Sequence, residues 1–333
     1  MHQISRRRFV ALTAAGVAVA PLPVWGSAAA PPVTAQEIVD RIQKSIGGEW
    51  NNPKSVDGFK AGDPSAAVTG IVTTSLATLD VLAQAVKAGA NMIITSEPTY
   101  FSKGDTPVPM VRRPGAGRRP GAGAPDASGA NAAPAVPAVP PEPPPLVPGP
   151  PDAVFTGKND FIKKNNLIVW RFSDHWNART PNPFAQGLVD AMGWTKYANG
   201  DATQVNIPAT SLSALATHAK TALKSRGGMR VVGDPKLAVR KVALLPGTTP
   251  VEAALKVLPG ADVIIAGEVR EWETVQYVRD TFDMGGKKAL ILVGRVVSEG
   301  PGMQACAQWL KTVVPEVKTT WMPVVDPYWR PTL

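Results

Sequence analysis

The residues able to do chemistry in this chain collect where apolar runs stop. Residues 91–95 give way to Ser96-Glu97-Pro98, 166–172 to Ser173-Asp174-His175, and 262–266 to Gly267-Glu268. A further run, 289–294, stops at Arg295 with Glu299 four residues on. Such runs read as buried strands, and open α/β sheets bind ligands in the crevice beyond the carboxyl ends of their strands. Where these strands neighbour one another, Glu97, Asp174, His175, Glu268 and Glu299 face one pocket. That set is acidic enough to hold one or two hard divalent cations, with His175 as a nitrogen ligand. An ion placed there would activate water, with Glu97 or His175 as the general base.

Each of these residues also has a purely structural reading. Glu299 follows Ser298 at a helix start and would complement the helix dipole. Glu97 precedes a proline in an exposed turn. Glu268, Glu271 and Glu273 lie near Arg270, and a salt-bridged helix start accounts for them without a ligand. His175 stands beside Asp174 and Trp176, an enclosed setting that suits a ligand, an acid/base group or a core histidine with its hydrogen bonds met. His218 reads as an ordinary helix residue, and Cys306 as the core residue of an apolar helix.

The elements that must position these groups follow from pattern. Thr34-Ala-Gln-Glu37 is a capping box, and Ile38, Ile42 and Ile46 behind it mark an amphipathic helix. Residues 68–74 read as a strand, 76–88 as a helix closed by Gly89, and 91–95 as a buried strand, together a βαβ unit. Strands are predicted again at 166–172, 229–232, 239–245, 262–266, 289–293 and 318–322. Helices are predicted at 183–192, 211–224, 249–257, 272–282 and 302–313. The fold class is α/β: two α/β lobes with mostly parallel, helix-covered sheets flanking a middle module.

A chain of 333 residues, 44% of them apolar, has material for a large core, which excludes disorder as a whole-chain reading. The net charge of +9 is not gathered into a stripe with interleaved aromatics, so nucleic acid is not the expected partner. A single cysteine, Cys306, excludes an internal disulfide, and with only His2, His175 and His218 available any metal site leans on carboxylates. Residues 1–30 read as a twin-arginine signal: Arg6, Arg7 and Arg8, then Phe9, a weakly apolar stretch and a small-residue cleavage region. Its apolar run is too short to span a bilayer, so the mature chain is expected to be periplasmic, free of the membrane, and to carry a charge of +6 once those three arginines are removed. Residues 31–103 open the folded part. The segment 104–151 holds 15 of the 34 prolines and reads as a disordered, polyproline-like insertion, for which Arg112, Arg113, Arg118 and Arg119 offer a docking role as the alternative. Residues 152–333 complete the fold.

Several ordered motifs resemble one family. Asp57-Gly58, Gly62-Asp63-Pro64, Val68-Thr-Gly-Ile71 and Asn91-Met-Ile-Ile-Thr-Ser-Glu-Pro98 look like the opening of the Nif-three-like proteins. Val232-Gly-Asp-Pro235, Leu245-Pro-Gly247, Asp262-Val-Ile-Ile-Ala-Gly-Glu268 and Leu292-Val-Gly-Arg-Val-Val-Ser-Glu299 are similar to its later landmarks. Members are also described as GTP cyclohydrolase type 2 homologues or dinuclear metal centre hexameric proteins. The resemblance implies two α/β lobes, a toroidal hexamer and a pair of divalent metals between the lobes. The metal motifs of the family fall here on Ser96 and Glu97, on His175 and Arg179, and on Arg295 and Glu299; only His175 and Glu299 match in kind.

That departure shapes the functional expectation. A guanidinium stays protonated and offers no lone pair, so Arg179 and Arg295 cannot ligate a metal. Their charges would instead neutralise the carboxylates that an ion otherwise balances. Two ions about 3.5–4 Å apart need several anionic bridges, so the residues present imply at most one divalent ion, zinc, manganese or iron, on Glu97, His175, Glu299 and Asp174. The reading preferred is an exported, oligomeric binding or scaffold protein in which Arg179 and Arg295 recognise a small anionic ligand. The alternative is a divalent-metal-dependent hydrolase acting on a nucleotide-like or other small substrate.

Overall fold

The computed structural model describes residues 32–102, 104–112, 146–198, 200–225 and 228–331. The twin-arginine segment and most of the proline-rich insertion lie outside these. The capping box opens the first helix as its sequence requires. In α1 (Ala35–Ile46) the Thr34 hydroxyl accepts from the Glu37 amide at 3.2 Å, and the Glu37 carboxylate accepts from the Thr34 amide at 2.8 Å. Two donors that a helix start leaves unmet are thereby satisfied. The stripe Ile38, Val39 and Ile42 is buried, and each such side chain contributes about 1.5–3 kcal/mol by leaving water.

The chain then runs β1 (Gly58–Ala61), β2 (Ile71–Thr74), α2 (Leu79–Lys87) and β3 (Met92–Thr95), followed by β4 (Met110–Arg112) and β5 (Leu146–Pro148). α3 (Ala153–Lys164), β6 (Ile168–Arg171), the one-turn α4 (Asp174–Asn177) and α5 (Pro183–Ala191) come next. The second half holds β7 (Gln204–Ser211), α6 (Leu212–Ala222), β8 (Arg230–Val232), β9 (Ala238–Thr248), α7 (Val251–Val257) and β10 (Val263–Glu268). It ends with α8 (Gln276–Asp283), β11 (Ala289–Leu292), α9 (Arg295–Val313) and β12 (Thr319–Trp321).

Two five-stranded sheets result. The first has the order β1-β6-β3-β2-β12, parallel throughout except for β1, which runs antiparallel to β6. The second has the order β7-β9-β10-β11-β8, with a parallel centre and antiparallel edges. Both are covered on both faces. The first sheet packs Ile71, Met92, Ile94 and Trp170 against α1 and α9, and Val72, Ile93 and Val169 against α2 and α3. The second packs Val242, Val263 and Ile291 against α5 and α6, and Ala243, Ile264 and Leu290 against α7 and α8. Strands buried on both faces need unbroken apolar runs, which is why 92–95 and 289–292 read so clearly.

Three features depart from the expectations. The middle segment supplies edge strands β7 and β8 to the second sheet rather than standing as a module of its own. The described ends of the proline-rich insertion, β4 and β5, form a short antiparallel ladder that the composition argument did not foresee. Most consequential, α9 begins at Arg295 and not at residue 302, with Pro301 inside it. Gly300-Pro301-Gly302 looks like a break, but close packing overrides it. A methyl group on Gly187 would come within 2.6 Å of the Gly302 amide, and one on Gly302 within 2.8 Å of Phe184 Cα. Helices α5 and α9 thus cross almost backbone to backbone, and α9 packs on β2 and β12 of the first sheet and on β9 and β10 of the second. Both sheets belong to one compact unit.

Candidate functional site

The contact of α9 with both sheets is what builds the site. Strand β3 lies inside the first sheet, and at its carboxyl end Ser96 and Glu97 are held by their backbone. The Ser96 amide donates to Thr74 at 3.4 Å and the Glu97 amide to Ser75 at 3.0 Å. From the other side comes the first turn of α9. Gly294, with φ of 95°, turns the chain from β11 into the helix, and Arg295 and Glu299 then stand one turn apart on one face. Ser298 fixes that turn: its hydroxyl accepts from the Gly247 amide at 2.9 Å and donates to the Arg295 carbonyl at 2.6 Å. The strand ends are glycine to allow this approach: Gly247 has a φ of 74°, and a methyl group on Gly267 would sit 2.4 Å from the Gly247 carbonyl oxygen.

Glu97 and Glu299 therefore meet, 6% and 5% exposed, with one guanidinium against both. Arg295 Nη2 pairs with Glu97 Oε2, and Arg295 Nε lies 3.5 Å from Glu299 Oε1. The second contact is one of charge alone, because Nε makes no hydrogen bond. The Ser96 hydroxyl donates to Glu299 Oε2 at 3.2 Å. Burial, reinforced by the neighbouring Glu97 and opposed by Arg295, pushes the Glu299 carboxyl up to about 8. At neutral pH Glu299 holds its proton, and Glu97 and Arg295 form the ion pair.

Other residues expected here lie elsewhere. His175 belongs to a separate cluster under α4. Its Nδ1 is 2.8 Å from Asp57 Oδ2, its Nε2 is 3.0 Å from the Glu49 carbonyl, and its ring stacks on Trp50 at 3.6 Å. Both ring nitrogens face oxygens of this cluster, which sets His175 apart from the Glu97 and Glu299 pair with which the sequence reading grouped it. Asp57 is the centre of that cluster, accepting also from the amides of Ser173, Asp174 and His175 at 2.6–2.9 Å. Asp174, expected as a ligand, instead accepts from the Val56 amide at 2.9 Å. Arg179, expected to bind an anion, lies over the rings of Trp176 and Trp309 at 4.9 and 5.0 Å. Glu273 pairs with Arg270 at 2.9 Å and Glu271 with Arg230, as a salt-bridged helix start requires, whereas Glu268, although exposed, stays at the site, where its charge acts on Arg295. His218 Nε2, on α6, donates to the Met192 carbonyl at 2.9 Å, and Cys306 is fully buried in α9.

Sequence reasoning missed Asp57, Trp50 and Ser298. Trp50 carries no local signal, and Asp57 stands only in the quoted landmark Asp57-Gly58; the role of each appears when β1 is laid beside β6. Ser298 was noticed as a capping residue; its service to Gly247 across the lobes depends on the early start of α9.

The donor set does not fit a divalent metal. Two carboxyl groups hydrogen-bonded to each other and a serine hydroxyl remain, and the permanently charged Arg295 guanidinium lies against both carboxyls. Among the described residues no group of three or more His, Cys, Asp or Glu is arranged to hold an ion. Residues 152–326, more than half of the chain, match the family described as Duf34/NIF3 (NGG1p interacting factor 3). The chain belongs to this family. No curated protein matches it, but solved structures share the NIF3 fold. The Staphylococcus aureus hypothetical protein SA1388 is similar at 13% identity and a TM-score of 0.61, over 90% of this chain and 99% of its own. A Bacillus cereus protein related to NIF3 is similar at 14% identity and a TM-score of 0.59, over 90% and 100%. Reduced HcgD from Methanocaldococcus jannaschii is similar at 14% identity and a TM-score of 0.55, over 87% and 97%. At these identities the likeness establishes the NIF3 fold and nothing about activity.

Proposed function

We propose that this NIF3 protein is an exported, oligomeric binding or scaffold protein whose inter-lobe pocket works without a divalent ion. The observation that carries the reading is Arg295, whose guanidinium lies against Glu97 and Glu299 and supplies the positive charge there. A buried carboxylate stripped of its counter-charge costs several kcal/mol, so the arginine is what permits the pair to exist. The Arg295 side chain is 37% exposed, which leaves one edge of the guanidinium for a small anionic ligand. The signal-like residues Ser5-Arg6-Arg7-Arg8-Phe9-Val10 support export to the periplasm, and membership of the NIF3 family supports a homo-oligomer, a hexamer on the resemblance drawn above.

Elemental analysis of protein matured through its own export route tests the reading. The expected result is zinc, manganese and iron far below one ion per chain. The variant Arg295→His, which removes the permanent cation and adds a nitrogen donor beside Glu97 and Glu299, is expected to gain zinc. An ion near one per chain in the native protein, lost on Glu299→Ala, would overturn the proposal and return a metal-dependent hydrolase to first place.

A further inference from the structure

The inter-lobe pocket leaves the proline-rich segment without a role, yet its sequence is ordered in a way that composition alone does not require. Residues 113–145 lie outside those described, but Arg112 on β4 pairs with Leu146 on β5, so the segment leaves and rejoins the fold at one point. Within it, Pro134-Ala-Val-Pro137-Ala-Val-Pro140-Pro-Glu-Pro143 spaces prolines three residues apart at 134, 137, 140 and 143. A polyproline helix repeats every three residues, so this spacing lines four prolines along one edge. Glu142 stands on a neighbouring edge and is the one charged residue from 127 to 151.

Edges of this kind dock in grooves walled by aromatic rings, and the second lobe carries one. Between the turn after α5, strand β7 and helix α6 lies an open groove of about 380 Å³, a volume in the range of binding pockets. Its floor is the buried set Trp194, Ile207 and Leu215, and Tyr197 and His218 stand along it. The wall is held in place: the His218 ring stacks on Trp194 at 5.8 Å and 20°, and His218 Nε2 donates to the Met192 carbonyl at 2.9 Å. Of the residues lining the groove, Lys196 alone carries a permanent charge. Its ammonium sits 5.0 Å from the centre of the Tyr197 ring, and among the described residues no carboxylate pairs with it.

We propose that this groove holds the chain's own residues 134–145, the proline edge against Trp194, Tyr197 and His218 and Glu142 beside Lys196. The single negative charge of the segment then meets the single permanent charge of the groove. Reach permits it: Pro137 precedes Leu146 by nine residues, about 28 Å at about 3.1 Å per residue, against a radius of gyration of about 18 Å for a domain of this size. The test is calorimetric titration of a synthetic peptide of residues 134–145 into two full chains, the native protein and a variant carrying Pro134→Ser, Pro137→Ser, Pro140→Ser and Pro143→Ser. The variant, with no competing arm, is expected to bind the peptide saturably and to shift its His218 ring-proton signals in the NMR spectrum. The native chain, whose tethered arm competes at an effective concentration in the millimolar range, should bind it about tenfold more weakly or worse. Lys196 is exposed, so adding Lys196→Glu to the variant leaves the fold intact; it should weaken binding about fivefold, and a peptide carrying Glu142→Lys should recover the loss. No binding to the variant, equal binding to both chains, an unmoved His218 signal, or a loss in Lys196→Glu that the charge-swapped peptide does not recover would each overturn the proposal. Self-association of the native chain that the four serines abolish would place the arm in a second copy and overturn its assignment to its own groove.

Discussion

Glu299 offers the sharpest test of the inter-lobe pair, because its ionisation is tied to folding. Its carboxyl has an ordinary value of 4.5 and is pushed up to about 8 in the folded chain, chiefly by burial. The folded state therefore keeps a proton that the unfolded state gives up. Below pH 4.5 both states are protonated and nothing is lost. Above it the unfolded chain ionises first, and stability falls with rising pH until Glu299 ionises in the fold near pH 8. The slope is about 1.4 kcal/mol per pH unit, so between pH 6 and pH 8 about 2 kcal/mol should disappear. For a domain of this size that is about 4–8 °C of thermal midpoint. Glu299→Gln keeps an acceptor for Ser96 and a donor towards Glu97 but cannot ionise. Urea unfolding or scanning calorimetry at pH 6, 7 and 8 should show the native protein losing stability relative to Glu299→Gln, with the other titrating groups cancelling in the comparison. If the two proteins track each other across this range, Glu299 is not a buried, proton-holding member of the pair, and the reasoning about the pocket fails.

Other outcomes follow from the same geometry. Arg295→Met removes the guanidinium that faces both buried carboxyls and, since the arginine is 37% exposed, should cost about 1–3 kcal/mol at pH 8, with a smaller loss at pH 5, as read by urea unfolding at both values. Asp57→Ala strands the amides of Ser173, Asp174 and His175 together with the His175 ring, and should cost about 3 kcal/mol or more without changing metal content. Gly302→Ala drives a methyl group into Phe184 and should destabilise by about 1–3 kcal/mol; pairing it with Phe184→Leu should recover part of the loss. Burial pushes the Cys306 thiol far up, so a thiol reagent should fail to label the native protein and react only on unfolding.

What pattern could reveal divides along a physical line. Elements whose apolar residues face one way or both ways announced themselves: the capping box of α1, the buried strands β3 and β11, and α5 with Pro183 at its start. The pairing of Glu97 with Glu299 followed from the same logic, because each stands at the carboxyl end of a central strand or just beyond it, and Arg295 fell into place with them. His175 and Asp174 also follow a strand end, on β6, but α4 folds back immediately and hands both to the β1 side of the sheet. That outcome is decided by Asp57, more than a hundred residues away in sequence, and no local spacing encodes it. Arg179 diverged for a similar reason: Trp176 and Trp309 offer its guanidinium two aromatic faces, and only the packing of α4 on α9 brings them together. β7 carries a readable alternation through Val205 and Ile207, yet Pro208 obscured it.

The placement of β12 bears on how the molecule comes into being. This strand closes the first sheet by pairing Thr319 with Ile71, so the chain leaves that sheet after β6, builds all of the second, and only then returns through α9. The first sheet cannot close on the ribosome by itself: it waits with β2 as a bare edge until almost the entire polypeptide has emerged. Contacts so distant along the chain form slowly and leave sticky intermediates. Shortening the chain by its last helix and strand would strip β2 of its neighbour and both sheets of the helix they share.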